Sequence, residues 1–296
     1  MQLFVTGITG HSGSFFIKRM MEENDTSISI KALVRKSSDT TLLNQSGLDH
    51  EKVIGDLNDV DLLTKAMQGC DMVLHIASIF QSKHVMTAAR AAGIQKAILV
   101  HTTGRFSKYK SASAEYIDIE EGILRDYADM ELVVLRPTMI YGTHMDKNMI
   151  KLVRFLHRHK FFPIFGKGQN LMQPVHAKDL GDAYYAVIKN WSVTKGKNYN
   201  LSGGNALPYI EVINTVAKHL GKKIIAIKFP IGLSIFGAKV YNALFKNAII
   251  TVEQVMRMME DKDFSFEEAK ADFGYDPVCY DEGIKGEVEA YLEAQA

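Results

Sequence analysis

The chain has 296 residues, of which 47% are hydrophobic and 23% are charged, and its formal net charge is +1. These values are typical of a globular protein, with room for one large α/β domain and an appended lobe or for two domains. The balanced charge gives no electrostatic argument for a nucleic-acid partner. Two cysteines, Cys70 and Cys279, offer no metal-ligand spacing and fit a reducing compartment, so we expect a cytoplasmic protein without a metal site.

The N-terminal stretch MQLFVTGITGHSG organises the rest of the chain. An apolar run ends at Thr6, glycines follow at Gly7, Gly10 and Gly13, and residues 14–20 have the apolar spacing of a helix lying on a sheet. A strand, a glycine turn and a helix form the layout that binds a dinucleotide pyrophosphate. The spacing differs from the usual G-x-G-x-x-G, and the alternative is a plain turn, but the position directly after the first strand favours a cofactor loop.

The three glycines of such a loop have separate roles. The first makes the turn, the second lets the backbone approach the phosphates, and the third allows the helix to pack closely on the strand. The N-terminus of the helix then directs its free N–H groups and the positive end of its dipole at the anion.

The second predicted strand, residues 29–34, ends at Arg35. Sites selective for NAD usually carry an acidic residue here, which accepts hydrogen bonds from the ribose 2′-hydroxyl. A guanidinium can instead pair with a 2′-phosphate, because the two groups match in charge and geometry. We therefore favour NADP(H) as the cofactor and keep NAD(H) as the alternative. A solvated basic turn is the other interpretation of Arg35.

Two more strands are predicted to end in the same crevice, since the carboxyl ends of parallel strands line the ligand site. They span residues 52–57 and 71–76. The first runs into Asp56, which could cap the following helix or hold the adenine. After the second come Ala77 and Ser78, which are small enough for a cofactor to pass close by. We interpret His75 as a strand-end histidine with satisfied hydrogen bonds rather than as a catalyst.

A fifth predicted strand, residues 97–100, delivers Thr102 and Thr103 to this edge of the sheet. A hydroxyl at this position sits where hydride chemistry would occur. The elements predicted next are a polar stretch at 105–113, a helix at 114–129 and a strand at 131–135. Pro137 then ends the strand and turns the chain across the crevice.

The remaining third of the sequence departs from simple alternation. Its predicted elements are a basic helix at 148–160, a turn-rich loop at 161–169, a helix opening at 173–180 and a short strand and turn at 199–204, followed by helices with one or two short strands. We interpret the basic helix as a solvated face, with contact to an anionic substrate as the alternative.

The apolar stretch at 224–236 is broken by Lys228, Pro230 and Gly232. It falls below the roughly 20 apolar residues needed to span a bilayer. We interpret it as a buried edge of a second lobe rather than as a membrane contact. The N-terminus has no basic n-region, so no signal peptide is expected.

Six short sequence motifs follow one another along the chain. They are TGITGHSG at 6–13, GDL at 55–57, LRPTMIYG at 135–142, PVHAKD at 174–179, YNLSGG at 199–204 and FGYDP at 273–277. With them, the sequence resembles the short-chain dehydrogenase/reductase superfamily in its extended or atypical branch, which includes NAD(P)-dependent epimerase/dehydratase-like proteins. The resemblance implies an α/β fold, a Rossmann-type doubly wound parallel sheet with a smaller C-terminal α/β substrate lobe.

The resemblance also implies how the chain is divided. The NAD(P)-binding Rossmann domain would comprise residues 1–142 plus 174–200, and the substrate-binding lobe residues 143–173 and 201–296. It suggests a homodimer through helices near 80–93 and 114–129, with a monomer as the alternative. In the family, residues matching Asp56 hold the adenine ring, and those matching Pro137 and Thr138 lie by the nicotinamide.

The residues expected to contact the cofactor combine the strand ends with the family's motifs. They are Gly7, Thr9, Gly10, His11, Ser12, Gly13, Arg35, Asp56, Leu57, Ile76, Ala77, Ser78, Thr102, Pro137 and Thr138.

One departure from the family concerns the acid–base pair. Enzymes of this group use a Tyr-x-x-x-Lys pair, in which the charge of the lysine lowers the tyrosine pKa so that the phenol can exchange a proton. Here Tyr116 is followed four residues on by Glu120, and Tyr109 by Ser113. Neither makes the motif. A carboxylate beside the Tyr116 phenol would raise its pKa and oppose the standard mechanism.

Two hypotheses of different classes follow. The first is an NADP(H)-dependent oxidoreductase or epimerase-like enzyme acting on a carbonyl, a sugar nucleotide or a related small molecule. Thr103 would polarise the substrate oxygen. Tyr109 with Lys110 would supply the acid, although adjacent residues on an extended segment point apart, or Tyr116 would do so unassisted, with packing on the helix as its alternative role. The second is a non-catalytic NADP(H)-binding sensor or scaffold, motivated by the missing pair. The sequence does not identify the substrate.

Overall fold

The predicted alternation of strands and helices forms one seven-stranded parallel sheet with helices on both faces. The computed structural model describes residues 1–143, 145–232, 235 and 252–295. The strands are β1 Gln2–Thr6, β2 Ser29–Val34, β3 His50–Ile54, β4 Met72–His75, β5 Lys96–Val100, β6 Glu131–Pro137, β7 Ile140–Tyr141, β8 Phe161–Phe165, β9 Leu171–Met172, β10 Val175–His176, β11 Asn198–Leu201, β12 Leu207–Pro208 and β13 Ile225–Phe229.

Helices connect most of these strands. They are α1 His11–Glu23, α2 Thr41–Gln45, α3 Val60–Met67, α4 Ser82–Ala91, α5 Lys110–Asp126, α6 Met149–Arg158, α7 Ala177–Lys189, α8 Trp191–Thr194, α9 Tyr209–His219, α10 Val252–Arg257, α11 Glu267–Phe273 and α12 Tyr280–Glu293. Short 3-10 turns cover Ile79–Gln81 and Thr103–Phe106.

The order of strands in the sheet is β3-β2-β1-β4-β5-β6-β11, and every neighbouring pair is parallel. The direction of winding therefore reverses between β1 and β4, which is where open α/β sheets bind their ligands. Thr6 at the end of β1 pairs with Leu33 of β2 on one side and with His75 of β4 on the other. The Rossmann-type fold is thus confirmed, and its crevice opens above these three strand ends.

Each face of the sheet has its own apolar core. On one face, α1 and α7 pack through buried residues that include Phe16, Met20, Leu180 and Tyr184. On the other face lie α3, α4 and α5, with residues such as Leu63 and Ile123. The strands contribute to both cores and read as continuous Val, Ile and Leu runs, as expected for a parallel sheet covered on both sides.

A third apolar cluster lies beside the sheet. It joins α6, α9 and α12 through Val153, Val212, Ile284 and other buried residues, and Tyr141 of β7 is fully buried in it. Two-stranded ladders complete this region: β7 with β10, β9 with β12, and β8 with β13.

Two expectations about this region were wrong. The segment at 161–169 begins as strand β8, and the turn that we expected throughout is confined to residues 166–168. Its partner β13 lies in the apolar stretch that we interpreted as a buried edge, yet Ile225 is 69% exposed and Ile227 is 42% exposed. Among the described residues this ladder has two strands, and most side chains of β13 are exposed. Residues 233, 234 and 236 of that stretch lie outside the described residues.

A third correction concerns the polar stretch before α5. We expected it to continue to residue 113, but the helix begins at Lys110. The N-cap residue Tyr109 makes no side-chain capping hydrogen bond, so the usual Ser, Thr, Asp or Asn signal of a helix start is absent from the sequence.

Candidate functional site

The glycine loop after β1 has the close contacts that its sequence predicts. Gly7 has a φ of +76°, and a Cβ added there would lie 2.7 Å from the backbone nitrogen of Ala77. Only glycine combines this left-handed backbone with such close approach to the end of β4. A Cβ on Gly13 would lie 2.3 Å from the carbonyl oxygen of Gly7, so α1 rests directly on the loop. The N–H groups at the start of α1 thereby face the crevice.

A cavity of about 710 Å³ occupies this crevice. Many of the residues that we expected to hold the cofactor line it: Gly7, Thr9, Gly10, His11, Ser12, Arg35, Asp56, Leu57, Ile76, Ala77 and Ser78. The residues that we did not anticipate are Thr6, Leu33, Val34, Ser38, Gly55, Asn58, Gln81, Ile140 and Lys147. Most of these are sequence neighbours of the predicted set. Lys147 is not, because it lies beyond β7, and no local motif marks it.

Arg35 and Asp56 follow strands β2 and β3, and both line the cavity. Arg35 is exposed, and among the described residues no acidic side chain forms an ion pair with it. Asp56 accepts hydrogen bonds from the backbone and side-chain nitrogens of Asn58 at 2.9 and 2.7 Å. Asp59, rather than Asp56, caps α3 by accepting from the Leu62 nitrogen. Of the two roles considered for Asp56, helix capping is therefore excluded and adenine contact stays a prediction.

His75 has both ring nitrogens engaged, as we expected. It is fully buried, and its Nδ1 lies 2.6 Å from the Thr6 hydroxyl while its Nε2 lies 3.1 Å from the Ser78 carbonyl oxygen. Burial lowers the pKa of His75 to about 3, with a smaller contribution from His101. The neutral ring therefore accepts from Thr6 and donates to Ser78, which ties β1 to the loop after β4.

Ser12 illustrates how the first turn of α1 is held. Its hydroxyl hydrogen-bonds to the buried phenol of Tyr184 on α7 at 3.0 Å. Burial raises the pKa of Tyr184, so this phenol stays protonated. The hydroxyl group of Ser12 thus connects α1 to α7. The backbone of Ser12 remains available to a ligand in the cavity.

The other predicted cofactor contacts lie outside the residues lining this cavity. Gly13 packs on Gly7, Thr102 accepts from the Gly104 nitrogen at 3.0 Å, and Thr138 donates to the Gln173 carbonyl at 2.5 Å. Pro137 accepts a 3.2 Å hydrogen bond from the Thr103 hydroxyl through its carbonyl oxygen. Direct contact of these four residues with a cofactor stays a prediction.

A second cavity, of about 260 Å³, lies between the β5–α5 connection and the C-terminal part of the chain. It is lined by Thr103 and Tyr109, two of the residues that we predicted to be catalytic. Its other lining residues are Gly104, Phe106, Ser107, Lys108, Met256, Arg257, Met259, Glu260, Asp261, Lys262 and Phe264. Burial, reinforced by Arg257, lowers the pKa of Lys262 below its ordinary value.

Glu260 holds the two sides of this second cavity together. Its carboxylate accepts from the Ser107 hydroxyl at 2.8 Å and from the Lys108 backbone nitrogen at 2.7 Å. The residues from the C-terminal part of the chain were not anticipated, because they approach Thr103 only through tertiary folding.

The structure does not bring the other two predicted catalytic residues to this cavity. Lys110 is exposed in the first turn of α5 and is not among the lining residues. The ring of Tyr116 packs against Phe80, with ring centroids 5.7 Å apart, and against Gly104. Tyr116 therefore packs between α5 and the turns after β4 and β5.

Glu120, expected beside the Tyr116 phenol, is the centre of a buried ionic cluster. It is fully buried, accepts from Arg136 at 2.7 Å, and also pairs with Arg105. Its second oxygen accepts from His101 Nδ1 at 2.9 Å. Burial and the two guanidinium groups lower the pKa of His101 to about 3, so the ring is neutral. The cluster joins α5 to the ends of β5 and β6.

Among the described residues, no group of three or more His, Cys, Asp or Glu side chains is placed to hold a metal ion. Within the same residues, none of the helices is both long and apolar enough to cross a membrane. The basic residues of α6, such as Lys151 and Arg154, are exposed and line neither cavity.

A glycine loop at the switch point of a parallel sheet, with a large cavity above it, defines a dinucleotide-binding protein of the Rossmann type. Comparisons with known proteins agree. A family model for NAD(P)H binding matches residues 7–141, and the model of the NAD dependent epimerase/dehydratase family matches residues 99–202. With these two matches, the chain is similar to NAD(P)-binding proteins of the epimerase/dehydratase type.

The individual relatives are distant. The low-salt glycan biosynthesis protein Agl12 of Haloferax volcanii is 21% identical over 261 residues, which are 75% of this chain and 83% of that protein. The crystal structure of gox2253 has a TM-score of 0.82 at 18% identity and covers 99% of this chain and 98% of its own. DesIV, a dTDP-glucose 4,6-dehydratase from Streptomyces venezuelae with NAD and TYD bound, has a TM-score of 0.75 at 18% identity and covers 100% and 98%. These structural likenesses show the fold.

Proposed function

We propose that this protein is an NADP(H)-dependent oxidoreductase that transfers a hydride between the cofactor and a carbonyl carbon of a small molecule. The observation that carries the proposal is the pairing of two cavities at the carboxyl edge of one sheet. The first is lined by the glycine loop and Arg35, and the second by Thr103 and Tyr109. Sugar nucleotides are the first substrate class to test, because DesIV is described as a dTDP-glucose 4,6-dehydratase.

The residues of the second cavity can hydrogen-bond to the oxygen of a carbonyl substrate and protonate it. Thr103 is 7% exposed and donates its hydroxyl hydrogen to the Pro137 carbonyl, and that hydrogen can be redirected to a substrate oxygen. A bound nicotinamide would supply the hydride that adds to the carbonyl carbon. The phenol of Tyr109 would then donate a proton to the oxygen, which completes the alcohol. In the reverse direction Tyr109 accepts the proton.

Lys262 is a second acid in the same cavity. Its lowered pKa, caused by burial and by Arg257, makes its ammonium a better proton donor than an exposed lysine. This chain lacks the lysine of the family's Tyr-x-x-x-Lys motif. Lys262 would supply a lysine to the site from a different part of the chain.

The test is hydride exchange between labelled NADPH and a panel of carbonyl compounds and sugar nucleotides. For an active substrate, Tyr109→Phe is expected to lower kcat by about a hundredfold or more with NADPH binding unchanged. Tyr116→Phe should leave kcat close to that of the wild type. If Tyr116→Phe abolishes turnover instead, Tyr109 is not the acid. If the wild type binds NADPH but exchanges no hydride with any compound, the protein is a cofactor-binding sensor or scaffold.

Further proposals concern the context of the site. We propose that residues 1–142 with 174–200 bind the cofactor and that residues 143–173 with 201–296 choose the substrate. We also propose a homodimer in the cytoplasm, formed through α4 and α5. Sedimentation velocity of the purified protein would test the dimer, since a concentration-independent monomer would contradict it.

A further inference from the structure

Lys147 is a cationic side chain that reaches the cofactor cavity from outside the sheet. It lies between β7 and α6, in the part of the chain that we assigned to the substrate lobe, yet it lines the same cavity as the glycine loop. The other strongly basic residue lining this cavity is Arg35, and the imidazole of His11 also borders it.

Arg35 and Lys147 reach the cavity from different parts of the fold. Arg35 follows β2, which neighbours β1 on the side away from β4. Lys147 follows β7, which pairs with β10 outside the seven-stranded sheet and whose first residue, Ile140, also lines the cavity. With Arg35 assigned to the 2′-phosphate, Lys147 is the strongly basic residue left in this cavity for a pyrophosphate held by the glycine loop.

The backbone next to Lys147 is held by buried hydrogen bonds. The Asp146 carboxylate, 5% exposed, accepts from the backbone nitrogens of Asn148 at 2.8 Å and Ile150 at 2.7 Å. The Asp146 nitrogen donates to the Thr143 carbonyl at 2.9 Å. These hydrogen bonds fix the backbone directly before and directly after Lys147.

The ammonium group of Lys147 is available to a ligand. The residue is exposed, and among the described residues no carboxylate forms an ion pair with it. The glycine loop offers a pyrophosphate its backbone N–H donors and the dipole of the following helix. A lysine in the same cavity supplies the full positive charge, which suits phosphate oxygens as a point charge.

We propose that Lys147 binds the pyrophosphate of the cofactor and closes the site from the side of the lobe. This inference rests on the proposed cofactor site. Cofactor binding would then be linked to the start of α6, because Lys147 directly precedes Asn148, the N-cap residue of that helix.

The test is calorimetric titration of the full chain with three probes: NADPH, 2′-phospho-ADP-ribose, which keeps the pyrophosphate, and 2′,5′-ADP, which lacks it. Lys147→Met is compared with Lys151→Met, a change one turn further on at an exposed lysine that does not line the cavity. Lys147→Met should bind the first two probes about tenfold more weakly or worse, and 2′,5′-ADP as the wild type does. Lys151→Met should match the wild type with all three, and Lys147→Arg should keep most of the affinity.

The possible failures are distinguishable. If the wild type binds none of the probes, both the proposed cofactor site and the proposed role of Lys147 are contradicted. If the wild type binds them and Lys147→Met does too, only the Lys147 assignment is overturned. Weaker binding of NADPH alone would place Lys147 at the nicotinamide half and overturn the pyrophosphate contact. An equal loss with 2′,5′-ADP, or a melting temperature well below that of Lys151→Met, would show a general structural effect and contradict the proposal.

Discussion

The carboxyl group of Glu287 on the C-terminal helix accepts a 2.7 Å hydrogen bond from the backbone nitrogen of Gly142, just after β7. Glu287 is 2% exposed. Burial, with Asp146 nearby, raises the pKa of Glu287 from 4.5 to about 8. The folded protein therefore keeps this carboxyl protonated at neutral pH, whereas the unfolded chain ionises it in mildly acidic solution.

This difference predicts a pH-dependent stability. Between pH 5 and pH 8 the folded state binds a proton at Glu287 that the unfolded state has lost, so the free energy of unfolding falls as pH rises. Glu287→Gln removes the titration and keeps an oxygen for Gly142. We expect the free energy of unfolding of the variant to increase relative to that of the wild type as pH rises over this range, by up to about 1.4 kcal/mol per pH unit. Urea titrations at several pH values measure the gain, and a pH-independent difference between the two proteins would contradict the assignment.

A second prediction concerns cofactor choice. Arg35→Ala should weaken NADPH binding roughly tenfold or more, because it removes a charged hydrogen-bond donor to the 2′-phosphate, and should leave NADH binding nearly unchanged. Lys36→Ala is the matched control, since Lys36 is a neighbouring exposed cation that does not line the cavity. Calorimetry with both nucleotides measures the selectivity. Equal weakening for NADPH and NADH would show that Arg35 does not read the 2′-phosphate.

A third prediction concerns the glycine loop. The Cβ of Gly13→Ala would meet the carbonyl oxygens of Gly7 at 2.3 Å and Ile8 at 2.6 Å, and these backbone atoms cannot move aside cheaply. We expect a loss of about 2 kcal/mol or more in the free energy of unfolding, together with weaker NADPH binding. Gly286→Ala, exposed within α12 with nothing near the added Cβ, should instead stabilise the protein by roughly 0.5–1 kcal/mol. A Gly13→Ala variant as stable as the wild type would show that α1 does not rest on the loop.

A fourth prediction separates the buried cluster from surface charge. Glu120→Gln leaves Arg105 and Arg136 without their shared anion, and we expect a loss of roughly 3–5 kcal/mol in the free energy of unfolding. Glu121→Gln removes an exposed carboxylate that also pairs with Arg105, and should cost less than about 1 kcal/mol. Denaturant titration at pH 7 compares the two. Equal stabilities would mean that the cluster does not hold α5 to the sheet.

The parallel core was predictable because its signals are local. Each central strand is a short Val, Ile and Leu run, and the second strand was placed at its observed bounds, Ser29–Val34. The glycine loop was predictable because Gly7 and Gly13 are needed at fixed positions by a turn and by a close helix contact. Such features are encoded within a few consecutive residues.

Features that depend on distant partners were missed or misread. β8 was taken for a loop because Pro163 interrupts it and its partner β13 lies far along the chain. Glu120 looked like a neighbour of Tyr116 from its spacing, whereas its partners come from β5, β6 and the 3-10 turn at Thr103–Phe106. Lys147 and Lys262 carry no local motif, so only the folded chain shows which cavities they line.

The outer strand of the sheet has a practical consequence for anyone wishing to study the nucleotide-binding half alone. β11 covers the edge of β6, and Gly181 of α7 packs against the backbone of Phe15 and Phe16 in α1. A fragment that ended near residue 142 would lose both supports. It would leave the apolar strand β6 with an unpaired edge, a template for self-association. We therefore expect such a fragment to aggregate more readily than the full chain, because its sheet and α1 are completed by residues that are translated long after its last motif.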